Sequence, residues 1–88
     1  MHEIYFSEHF KKSLKKIPYD IIESTEEIIG IMSNNYNHSK LHTKKLQGNN
    51  ILYSCRVTRD YRLLFYFEKS IIIIHTLKHR KDVYKNIN

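Results

Sequence analysis

Cysteine is almost missing from this sequence. Cys55 is the single one in 88 residues, so no internal disulfide can staple the fold. Long apolar runs are missing too. The longest, Leu63 to Phe67, has five residues, against the roughly 20 that a membrane helix needs. No hydrophobic leader follows a basic start, and the chain is expected to be cytoplasmic, with no membrane partner. One proline and two glycines leave no linker, and there are no repeats or low-complexity segments. A single domain over residues 1–88 is expected.

Metal-ligand spacing is equally thin. His38 and His42 stand four apart, as do His75 and His79, but neither pair has a cysteine or spare carboxylate close in sequence. No metal site and no small-molecule cofactor are expected. Ser54 has no obvious base and acid beside it, which argues against a hydrolase triad. Cys55 alternates onto the core side of its strand and reads as an inert buried thiol.

Positive charge is abundant and unevenly placed. The chain carries 15 Lys and Arg against 9 Asp and Glu, for a net +6. Residues 1–39 hold 4 basic and 6 acidic side chains, whereas residues 40–88 hold 11 basic and 3 acidic. Such a half-domain draws polyanions toward its surface, although a basic surface can also serve solubility alone.

Residues 2–6 alternate as a short strand. Ser7 is a good N-cap for a helix carrying Phe10, Leu14 and Ile17, which Pro18 ends. Asp20 and Glu23 have capping-box spacing ahead of a second helix, whose face holds Ile21, Ile22, Ile28, Ile29 and Met32 and which fades at Ser33 to Asn35. After a polar stretch, residues 51–57, 61–67 and 71–77 read as three strands joined by turns at 58–60 and 68–70. Lys81 to Asn88 are read as a short terminal helix. The order β-α-α-β-β-β, with helices grouped ahead of a mainly antiparallel sheet, predicts a two-layer α+β fold.

Alternation then sorts the strands by face. Tyr53, Cys55 and Val57 oppose Ser54 and Arg56, while Tyr61, Leu63, Phe65 and Phe67 oppose Arg62, Leu64 and Tyr66. Arginine does not sit unpaired under helices, so Arg56 and Arg62 are expected on the uncovered face and directly across from each other. Like charges so placed repel. A phosphate between them relieves this, since guanidinium matches phosphate oxygens with paired donors. Salt bridges to an acid such as Asp60 or Glu68 are the alternative. Two clusters flank this face: His42, Lys44 and Lys45 upstream, and His79, Arg80 and Tyr84 downstream.

The segments Leu46-Gln47-Gly48, Leu52 to Val57, Asp60-Tyr61-Arg62-Leu63-Leu64-Phe65 and His79 to Tyr84 together resemble the RelE/ParE toxin superfamily, and Phe10, Leu14, Lys15, Lys16 and Ile17 are similar to its first helix. The resemblance implies a RelE-like fold and the toxin of a type II toxin–antitoxin pair. It also implies metal-independent cleavage of messenger RNA in the ribosomal A site, by attack of a ribose 2′-hydroxyl on the adjacent phosphorus. By position, Arg62 matches a phosphate-binding arginine and Arg56 a basic strand position. His79 or Arg80 matches the acid, and Tyr84 an aromatic that stacks or orients the nucleotide. Asp60 resembles an acid used in one branch. Lys44, Lys45, Arg59, Lys78 and Lys81 complete the expected RNA-binding surface. The family's archetype has two lysines on the strand where Ser54 and Arg56 stand here. The base therefore falls to His79, or to Lys44 and Lys45. An acidic, partly disordered antitoxin is the implied partner. Two further readings are a ParE-like inhibitor of DNA gyrase and a non-catalytic binding module on the same scaffold.

Overall fold

The computed structural model describes residues 2–46, 48 and 51–83. Strand β1 (Glu3–Phe6) leads into helix α1 (Glu8–Ser13) and a 3₁₀ turn (Leu14–Lys16), followed by helix α2 (Tyr19–Asn34). A second 3₁₀ turn (Ser39–Leu41) precedes strands β2 (Lys44–Lys45), β3 (Tyr53–Arg56), β4 (Tyr61–Glu68) and β5 (Ile71–His79), and a last 3₁₀ turn covers Arg80–Asp82. The five strands form one sheet in the order β1-β5-β4-β3-β2. Only β1 runs parallel to its neighbour, and the other pairings are antiparallel. The α+β class and the grouping of helices before the main sheet agree with the sequence reading.

Local chemistry explains the helix ends. Ser7 caps α1 as expected, its side chain accepting from the Phe10 N–H and donating to the His75 carbonyl. The first helix does not run on unbroken to Ile17. Its last residues tighten into the 3₁₀ turn, because the residue before a proline is pushed out of the helical region, and Ile17 is extended at φ −99 and ψ 133. The capping box expected at Asp20 and Glu23 does not form. Helix α2 starts earlier, at Tyr19, with Pro18 as its N-cap and no side-chain cap. The Pro18 carbonyl accepts from the N–H groups of Ile21 and Ile22 instead.

The sheet differs from the three-strand meander in two ways. Lys44–Lys45, read as part of a polar stretch, adds a two-residue edge strand paired with Tyr53 and Ser54. Strand β5 runs on through Lys78 and His79 and carries a bulge, since Leu64 pairs with Thr76 while Phe65 pairs with Ile74. The terminal helix expected over Lys81 to Asn88 is represented by the single Arg80–Asp82 turn, and residues 84–88 lie outside the described residues.

The core lies between helices and sheet. Phe10 and Met32 meet Cys55, Leu63, Phe65, Ile72, Ile74 and Leu77, all buried, with Ile21, Ile28 and Ile29 packed against them. Burying each large apolar side chain stabilises by about 1.5–3 kcal/mol, and so small a domain keeps little margin beyond that. The far face is less open than alternation alone suggests. Leu64 is buried there with Leu46 and Val83, against a half-buried Leu52. The segments before β3 and after β5 thus cover the middle of that face and leave its two ends accessible.

Candidate functional site

Strand register builds the site. Arg56 pairs with Arg62, and Arg62 with Lys78, so three cations form one row across β3, β4 and β5 on the face away from the helices. Directly opposed like charges on a sheet repel. One member is restrained by the backbone. Arg62 Nη1 donates to the carbonyls of Thr58 at 2.9 Å, Arg59 at 3.1 Å and Tyr61 at 3.1 Å. These bonds hold the guanidinium over the β3–β4 turn, so little side-chain entropy remains to be lost when an anion binds.

Beside this row lies a shallow cleft of about 120 Å³ lined by Lys44, Ser54, Arg62, Arg80 and Val83. Lys44 enters from the edge strand, directly opposite Ser54. Arg80 is set by Asp60 twice over: its N–H donates to the Asp60 carbonyl at 2.7 Å, and its Nε lies 3.6 Å from Asp60 Oδ1. Both side chains are about half exposed, so this ion pair contributes at most about 1 kcal/mol and is weakened by salt. The salt bridge weighed as an alternative therefore exists, but at Arg80. Glu8 also pairs with Lys11, and neither of these two ion pairs engages Arg56.

The structure separates residues that the sequence grouped together. Lys44, Arg56, Arg62, Lys78 and Arg80 converge on one face. His79 pairs with Tyr61, whose neighbours in the alternation face the helices, and its ring meets Tyr61 edge-on at 5.3 Å. Its Nδ1 accepts from the Lys81 N–H at 3.2 Å. His79 is thus not brought into the cleft. Lys45 pairs with Tyr53 and likewise points away from Lys44. Arg59 and Lys81 are exposed on the adjoining turns, and Tyr84 lies outside the described residues. Ser54, set aside as a nucleophile, is a buried part of the cleft wall. Its parity with Arg56 was the signal for that place.

Cys55 shows how the covered face treats an ionisable group. Burial under the helices pushes the Cys55 thiol up to about 12, opposed only in part by the Arg62 charge. It is not a nucleophile. His38 caps the turn before Leu41, and His75 stacks on His9 at 4.8 Å. Among the described residues, no three His, Cys, Asp or Glu side chains gather as a metal site. None of the described helices is long and apolar enough to cross a membrane.

A small mixed sheet with a helical pair on one face and clustered cations on the other is the architecture of the RelE-like fold. The ParE-like toxin domain matches residues 20–82, and the chain belongs to this family within the RelE/ParE superfamily of toxin–antitoxin toxins. Among solved structures, it is similar to a chain of the RelB–RelE antitoxin–toxin complex from Methanococcus jannaschii. That match has 29% identity and a TM-score of 0.75, and covers 96% of this chain and 99% of the other. A chain of the RelE–RelB complex from Pyrococcus horikoshii is 24% identical with a TM-score of 0.72, over 90% and 94% of the two chains. The E. coli YafQ fold is also close, with a TM-score of 0.77 at 13% identity over 96% and 99%. No curated protein matches the sequence.

Proposed function

We propose that this toxin is a metal-independent endoribonuclease that cuts messenger RNA in the ribosomal A site. The observation that carries the reading is the cation row Arg56–Arg62–Lys78 beside a cleft holding Lys44 and Arg80. A phosphodiester whose phosphorus is attacked gathers negative charge on its non-bridging oxygens, and fixed guanidinium donors stabilise that charge more than they stabilise the ground state. In the reaction, the ribose 2′-oxygen bonds to phosphorus and the bond to the 5′-oxygen breaks. A base on the enzyme or ribosome takes the 2′ proton, and the leaving oxygen gains one. The products are a 2′,3′-cyclic phosphate and a 5′-hydroxyl.

Arginine cannot act as the base, because its pKa exceeds ~12. Among the described residues, Lys44 is the amine that lines the cleft, and we assign it the proton-handling position that the strand lysines hold in the family's archetype. With so sparse a set of proton-transfer groups, alignment of the 2′-hydroxyl falls to the ribosome. Such orientation can contribute up to ~7–11 kcal/mol. The cytoplasm is accordingly where the protein acts, and a small acidic antitoxin with a disordered segment is its partner. That segment is drawn to the same positive face and orders on binding.

The experiment compares naked RNA with message in a programmed ribosome at equal concentration and low salt, mapping 5′-hydroxyl ends. Rapid cutting only on the ribosome is expected. Equal rates would replace the reading with a free-standing ribonuclease. Absence of cleavage with trapped DNA breaks would replace it with gyrase poisoning.

A further inference from the structure

The open face of the sheet changes character row by row beyond the cations. Four residues from Arg62 on β4, two positions along the same face, stands Tyr66, opposite Ile73 of β5, and Ile73 is in turn paired with Tyr5 of β1. Tyr66, Ile73 and Tyr5 therefore share one row, about 13 Å along the strand from the arginine. Tyr5 is 53% exposed, and Tyr66 and Ile73 are half-buried. The bulge in β5 leaves His75 without a ladder partner, its ring lies 6.5 Å from that of Tyr66, and His9 of α1 stacks on His75 at 4.8 Å. The next row carries Glu68 and Glu3, both opposite Ile71 and both exposed.

One face thus runs from a cationic row, across the buried Leu64 row packed under Leu46 and Val83, to an aromatic row and then an acidic one. Half-buried tyrosines are ordinary on a sheet with one open face. Their position between opposite charges is what selects an occupant. A single strand of RNA held by its phosphate at Arg62 has to pass over the segments packed on Leu64 to reach the far end of the face, where the carboxylates of Glu3 and Glu68 repel its backbone after the aromatic row. At that row, the strand meets rings that suit a base rather than a phosphate. Aromatic stacking accepts any base, because each has a π face.

We infer that Tyr66, flanked by Tyr5 and His75, forms a base-stacking subsite for the RNA strand whose phosphate lies in the Arg62 row. The inference rests on the ribonuclease reading and adds a second point of contact to it. Tyr66 is a positioning residue, which orients the strand without touching the reacting atoms.

The full chain is tested by fluorescence anisotropy at low salt with two probes. One is a short uridine oligonucleotide with 2′-O-methyl riboses, which cannot be cleaved. The other has the same backbone without bases. Tyr66→Leu, which keeps apolar bulk but loses the ring, should weaken binding of the first probe about tenfold or more and leave the second unchanged. Tyr66→Phe should bind both as the parent does. Unchanged binding of the uridine probe by a folded Tyr66→Leu variant overturns the subsite, and so does an equal loss on both probes. Arg62→Ala separates this from the broader reading. If Arg62→Ala loses both probes and Tyr66→Leu loses neither, only the subsite falls. If the parent binds neither probe, the RNA reading falls with it.

Discussion

The two faces of this sheet are made from the same strands, yet they follow different rules. On the helix-covered face, Cys55, Leu63, Phe65, Ile72, Ile74 and Leu77 are at most 2% exposed, and size and shape decide what is tolerated there. On the other face, alternate residues of the same strands are Arg56, Arg62, Lys78 and Tyr66, with only Leu64 and its neighbours packed in the middle. The first face holds the chain together. The second is free of most packing demands, so it can keep three like charges in a row that would be costly without an anion to bind. Stability and chemistry are thereby divided across a single backbone layer.

That division can be broken most forcefully at Phe65, which is completely buried. Phe65→Ala should cost about 3–5 kcal/mol, read as a fall in the urea midpoint, and should leave a large unfolded fraction. Loss of toxicity there would follow loss of fold. Arg62→Ala should show the reverse. Loss of its bonds to turn carbonyls should cost about 1–2 kcal/mol of stability, while cleavage falls by roughly 10²–10³-fold. Full growth arrest by a folded Arg62→Ala variant would remove Arg62 from the site.

A sharper comparison uses two adjacent lysines on opposite faces. Lys44→Ala should reduce cleavage by about tenfold or more, with the larger effect on kcat, whereas Lys45→Ala should change it little. Equal losses in single-turnover assays would mean that the edge strand contributes only diffuse charge. The smallest effect is expected at His75. Burial lowers its pKa below the ordinary 6.5, and the charges of His9 and Lys78 lower it further. The unfolded chain then takes up the proton first as the pH falls, so stability is present above this range and declines below it. His75→Asn should flatten the stability profile between pH 7 and pH 5. An unaltered slope would assign the acid sensitivity elsewhere.

Much of the open face is legible in the sequence. The placement of Arg56 against Arg62 needs only period-two alternation and a short turn, both local properties of the chain. Other features were beyond local pattern. The capping box at Asp20 and Glu23 had the right spacing, but the Pro18 carbonyl already served the first N–H groups of α2. Lys44–Lys45 is too short to show a strand pattern, and it is extended because the edge of β3 offers it hydrogen bonds.

The strand β5 marks the boundary most clearly. Its run of isoleucines determined by itself that a buried strand would form there, since β-branched residues favour the pleated backbone and must leave water. Counting by twos along it puts His79 on the face of Ile71 and Ile73, with Leu77 and His75. The bulge at His75 resets that count, so Leu77 joins Ile72 and Ile74 in the core while Lys78 joins Arg62. Nothing in the residues of β5 announces the extra position. It arises where the end of β1, the Ser7 cap on the His75 carbonyl and the packing of α1 all meet the strand, and those contacts exist only once segments nearly 70 residues apart in the chain have come together. Only the tertiary structure could decide that Lys78, and not His79, stands beside the arginines.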